Sequence, residues 1–184
     1  MSKMEQEVYN NPDLRELCNK SLDELKALAR EYKLKIVSSD KRRTRIALLP
    51  PGEEDDTYNG IIQLRWPQSR FDLMHELLHY IIDVGVGKKV IETCYEDYSP
   101  HKESQDPHER EINYMAAALL MPFNEMEKAI CDFDKKGSSA YTQEFISDLE
   151  DRYEVNSYCV ISRIQEVRKL MQMAKRGLIQ TPKS

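Results

Sequence analysis

His75-Glu76-Leu77-Leu78-His79 constrains this chain more than any other stretch. On a helix, residues four apart share a face and lie one turn from each other. Both imidazoles can then reach a single metal ion, at about 2.0–2.1 Å for zinc. Glu76 sits beside them and cannot join as a ligand without strain, but it can take a proton from a metal-bound water. Only four histidines occur in 184 residues, and two of them stand at this spacing with an acid in the required place. That weighs against the plainer account, two packed core histidines. The flanks predict a helix over 69–83: Ser69 and Asp72 form a start signal, and Phe71, Met74, Leu78 and Ile82 are spaced to bury one face. The pattern is that of a zinc-dependent peptidase.

Composition narrows the setting. The length suits one domain with a real core and leaves room for a small appendage. A formal net charge of −5 argues against a chain built mainly to coat nucleic acid. Cys18, Cys94, Cys131 and Cys159 are far apart and form no C-x-x-C pair, so neither a thiolate zinc site nor a disulfide framework is expected. The start of the chain is polar and acidic, unlike a signal peptide, and the longest near-apolar run, Tyr114 to Phe123, is about half a membrane span. A cytoplasmic protein without a membrane partner is expected.

Upstream of the motif, Asn11-Pro12 reads as a helix start, and Ser21-Leu22-Asp23-Glu24 as a capping box for a helix to about Tyr32. Leu22, Leu25, Leu28, Ala29 and Tyr32 form its buried stripe. Lys35–Val37 and Thr44–Leu49 read as two strands of a hairpin across Ser38 to Arg43, whose basic Lys41-Arg42-Arg43 suits a solvated tip. An acidic loop, Glu53 to Asp56, closes at Asn59-Gly60. Ile61, Ile62, Gln63 and Leu64 make a third strand, whose free edge could hydrogen-bond an extended substrate and lay it over the metal. Asp106-Pro107 opens a further helix over 107–121.

A hydrolytic zinc site wants three protein ligands and one open position. The metzincin extension needs Gly at 82 and His at 85, where this chain has Ile82 and Gly85, so that class is excluded. Asp83, His101, His108, Glu109 and Glu111 are the remaining third-ligand candidates. Glu109 and Glu111 lie on different faces of one helix, so at most one serves. Glu109 is favoured, because Asn113 and Ala116 follow on its face: one can hydrogen-bond a ligand and the other permits close packing. Tyr95, Tyr98, His101 and His108 are candidates, by position and chemistry, for oxyanion or substrate contacts.

With Glu109-x-x-Ile112-Asn113-x-Met115-Ala116-x-x-Leu119-Leu120-Met121-Pro122 added to the first motif, the chain resembles the ImmA/IrrE family of metallopeptidases. The resemblance implies one zinc held by His75, His79 and Glu109, with Glu76 as catalytic base. It also implies a helix-turn-helix repressor as substrate, cleaved to release genes of a mobile element, a prophage or a stress response. Leu78 stands where the family has glycine, Ile112 where it has alanine, and Met115 where it has phenylalanine. The expected fold is α+β: a mostly helical, zincin-like domain over 1–136 with a small three-stranded antiparallel sheet beside the metal helix.

Residues 137–184 are expected to form a packed helical pair. Thr142 caps a helix to about Tyr153, and a second runs from Ser157 to about Arg176, ended by Gly177. The short turn between them is helix-turn-helix-like. Arg163, Arg168, Lys169, Lys175, Arg176 and Lys183 are spread around the second helix and the first is acidic, so direct DNA binding is not expected. Two other functions fit the residues less well. One is a non-hydrolytic zinc module gripping a repressor or DNA, for which Glu76 has no use. The other is a zinc hydrolase of non-peptide amides.

Overall fold

In the computed structural model the described residues are 11–39, 45–48, 58–65, 68–84, 93–94, 106–135, 137 and 141–179. The expected tips at Lys41–Arg43 and Glu53–Asp56 fall outside them. The chain is α+β and mostly helical. A short helix α1 (Pro12–Arg15) starts at the expected proline. In α2 (Leu22–Glu31) the capping box is present in full: Ser21 N–H donates to Glu24 Oε2 at 2.7 Å, and Ser21 Oγ accepts from Glu24 N–H at 3.3 Å. The Ser21 backbone N–H, and after it the Ser21 hydroxyl, donate to the Glu24 carboxylate and hold it below its ordinary pKa. Leu25 and Ala29 are buried, while Leu22, Leu28 and Tyr32 are only half-buried.

The strands are β1 (Leu34–Ser39), β2 (Arg45–Leu48), β3 (Gly60–Arg65) and the two-residue β4 (Thr93–Cys94), in the order β1-β3-β2-β4. This corrects the expected three-stranded antiparallel sheet. β1 runs parallel to β3, with Ile36 opposite Ile62, and β2 runs antiparallel to β3, with Ile46 opposite Ile62. The chain does reverse between β1 and β2, as the polar residues between them predict. The two strands nevertheless stand one place apart, with β3 between them. The physical reason lies in β3 itself: Ile62 and Leu64 are fully buried, whereas β1 exposes Lys35 and Ser38. The apolar strand takes the interior and the polar one an edge. The same topology corrects the substrate-edge assignment. Ile61, Ile62 and Gln63 have partners on both sides and Leu64 is paired to Ser38, so the strand lies between two others and not at an edge.

The remaining elements are the motif helix α3 (Arg70–His79), a π-helical turn (Tyr80–Val84), α4 (Pro107–Leu120), α5 (Phe123–Asp134), α6 (Gln143–Tyr153) and α7 (Ser157–Lys175). Helix α5 was not expected from sequence. Its stripe of Phe123, Met126, Ile130 and Phe133 is buried, but Pro122 at its start makes no side-chain cap bond, so no start signal marks it. By packing, the chain divides into two compact units, one of Lys20–Ala116 and one of Met1–Asn19 with Ala117–Ser184. The first has its core in Leu25, Leu34, Ile62, Leu73, Leu77 and Ile112, and the second in Leu17, Leu120, Met126, Ile130, Val160 and Val167. Among the described residues no helix is long and apolar enough to cross a membrane.

In the second unit α6 is capped as expected, by Thr142 Oγ1 on Phe145 N–H, and α7 is capped by Asn156 Oδ1 on Cys159 N–H. At the end of α7, Gly177 (φ 71°) donates to Ala174 O and Leu178 to Met173 O, a Schellman closure. Arg163 is not a surface cation. It is fully buried, donating from Nε to Met121 O at 3.0 Å and from Nη1 to Glu166 at 2.6 Å. Arg168 donates to the Tyr141 hydroxyl and to Asp134.

Glu154 closes α6 in the left-handed region at φ 52°, with Val155 N–H reaching back to Glu150 O. A side chain there costs about 1 kcal/mol or more that glycine avoids. Glu154→Gly is therefore expected to raise stability by about 0.5–1 kcal/mol, net of the extra freedom of the unfolded chain. A shifted urea midpoint with an unchanged slope checks it; no shift, or a loss, contradicts it.

Candidate metal centre

The first two donors come from α3. Ser69 caps it, Oγ accepting from Asp72 N–H at 3.3 Å, as its sequence predicts. The helix is buried nearly all round: only Asp72, among Arg70 to His79, is not. Buried Arg70 is satisfied by Lys20 O at 2.6 Å. Leu78, the residue that replaces a family glycine, is fully buried, so its bulk belongs to the core. The α-helix stops at His79, earlier than expected, and the π turn carries the chain on to Val84. There Tyr80 is held by Asn59 Nδ2 at 3.4 Å and packs on Tyr32 at 5.3 Å.

The third donor comes from α4, whose first turn is set by Asp106 Oδ1 accepting from His108 N–H at 2.9 Å. Glu109 turns inward and its side chain is 14% exposed, whereas Glu111 is exposed on another face. His75 Nε2 and His79 Nε2 are 3.1 Å apart. Glu109 Oε2 is 3.7 Å from the first nitrogen and Oε1 is 3.5 Å from the second. Two atoms bonded to one tetrahedral zinc at about 2.0–2.1 Å stand roughly 3.4 Å apart. The observed separations bracket that spacing. Two imidazoles and one carboxylate are also the donor set of a hydrolytic zinc site, three ligands with a corner left over. The residues therefore fit the ion. Among the described residues they are the only such group.

Electrostatics agrees with the geometry. Burial pushes the His75 pKa well below its ordinary value, and neighbouring His79 adds to the shift, against a smaller opposing influence of Asn113. A neutral imidazole keeps the lone pair that a metal needs. Its approach to Glu109 is consequently not an ion pair. Asn113 stands one turn after Glu109, half-buried, and Ala116 on the same face is fully buried. Glu76 is 1% exposed, directly after His75. His108 is half-buried, its ring 5.5 Å from that of His79. Tyr95, Tyr98 and His101 lie outside the described residues, as does the side chain of Asp83.

The sequence model of the IrrE N-terminal-like domain, a peptidase M78 family, matches residues 63–163, from β3 into α7. The chain belongs to this family. The ImmA/IrrE resemblance read from the two motifs is thereby shown, and with it a metallopeptidase in general terms. The match to the M78 family takes in α3, α4 and every residue of the donor group. No curated protein matches the chain significantly.

The centre predicts a simple pattern of metal uptake. Wild type and Glu76→Gln should each hold one zinc, while His79→Ala and Glu109→Ala should lose more than about a hundredfold in affinity. Chelator competition measures this, and Glu111→Ala serves as control; loss in the control with retention in Glu109→Ala would reassign the ligand. The depressed His75 value also has a signed consequence. Below its ordinary pKa of 6.5 the unfolded chain takes up the proton first, so the metal-free fold loses stability as pH falls. Thermal unfolding followed from neutral to mildly acid pH reads this, with His75→Leu expected to flatten the slope.

Proposed function

We propose that this M78 protein is a zinc metallopeptidase that cleaves one protein partner, a helix-turn-helix repressor, at one place. The observation that carries the reading is the convergence of His75, His79 and Glu109 from two helices, with Glu76 retained beside them. A structural zinc site closes its shell with a fourth ligand and has no use for a buried acid next to it. These three residues would hold zinc. When bound, zinc lowers the pKa of a coordinated water toward about 7 and polarises the scissile carbonyl.

The chain's own groups do the rest. Glu76 takes a proton from the attacking water and passes it to the amide nitrogen as the C–N bond breaks. Burial favours this, since a buried carboxylate binds a proton more readily than a solvated one. Asn113, one turn after Glu109, would orient the His75 ring. The repressor substrate and the single cut rest on the ImmA/IrrE resemblance, which implies an enzyme that cuts one partner and leaves bulk protein alone. That cleavage would release genes of a mobile element, a prophage or a stress response.

The test is to incubate the zinc-loaded protein with a candidate helix-turn-helix repressor, and to repeat with Glu76→Gln. One defined cut by wild type is expected, slowed by at least about a hundredfold in the variant, as loss of a general base requires. Equal cleavage by both would refute the base. An intact repressor, bound but uncut by either, would favour the non-hydrolytic module.

A further inference from the structure

We infer that His108 is the hydrogen-bond donor that meets the substrate's scissile carbonyl at the rim of the centre, an assignment that rests on the peptidase reading above. Three imidazoles stand together here. His75 and His79 are 5% and 0% exposed, and their nitrogens face each other and Glu109. His108 differs: it is half-exposed and stands outside the group of three converging donors. One position before Glu109, it lies about 100° round the helix and flanks the carboxylate rather than joining it. Yet its ring reaches the centre, edge-on to His79 with 5.5 Å between centroids and 68° between planes.

The residue is also fixed from behind. Its backbone N–H is bonded to Asp106 at 2.9 Å, in the first turn of α4. That bond sets the backbone at the root of the side chain, and the edge-on contact with His79 sets the ring. An imidazole carries at least one N–H in either protonation form, so the role does not turn on titration. As water adds to the scissile carbon, the carbonyl π electrons move onto oxygen, and the His108 N–H bond to that oxygen strengthens. The water's proton goes to Glu76 and then to the leaving nitrogen, while His108 gains and loses nothing. Of the four rim candidates in the sequence, it is the one that lies among the described residues.

Acetohydroxamate binds zinc through its carbonyl and N–O oxygens and so reports on donors near a carbonyl without any turnover. Its affinity for the zinc-loaded protein is measured by calorimetry in wild type, His108→Phe, His108→Ala and His108→Gln, with zinc content checked in each. The Phe and Ala variants should bind about three- to tenfold more weakly, the worth of one hydrogen bond, at an unchanged one zinc per chain. His108→Gln, which restores a donor, should recover most of the loss. If His108→Phe binds as tightly as wild type, the ring merely packs on His79 and the assignment is overturned. A wild-type chain that takes up no zinc sinks the peptidase reading, and this assignment with it.

Discussion

Three electron-pair donors held within a few ångströms of one another, in a place water hardly reaches, are a costly thing for a fold to maintain. His75, His79 and Glu109 are such a group, with ligand atoms all within 4.8 Å. The unit Lys20–Ala116 is arranged around keeping them there. Helix α3 is buried on nearly every side, which fixes the two imidazoles at one spacing. The start of α4 is set by Asp106, which brings Glu109 round to them. A divalent cation relieves the mutual repulsion of such donors, and burial keeps His75 neutral and ready for it.

Much of this centre was legible in the sequence because it is local. A four-residue spacing on a helix is fixed by backbone geometry, and so is the difference between the faces of Glu109 and Glu111. The caps at Ser21, Ser69 and Thr142 are equally local and appear where their side chains predict. The sheet was not legible, for the opposite reason. Strand order depends on which segments pair across long stretches of chain, and adjacency in sequence suggested a β1–β2 hairpin. The deciding property was the full burial of Ile62 and Leu64, which draws β3 into the middle. The π turn after His79 and the uncapped α5 also leave no sign in residue spacing.

Charge counting misled in a similar way at the C-terminal end. Arg163 reads as one more surface cation among several. In the fold it is a fully buried strut, satisfied by a backbone carbonyl and Glu166. A buried cation whose donors are already satisfied adds nothing to a phosphate-binding face.

The account comes down to the identity of the atoms around the metal, and X-ray absorption at the zinc edge of the loaded protein reads them directly. The expected spectrum has only nitrogen and oxygen neighbours at about 2.0–2.2 Å, with the outer-shell scattering of two imidazoles. A sulfur neighbour at about 2.3 Å, or scattering from a single imidazole, would contradict it.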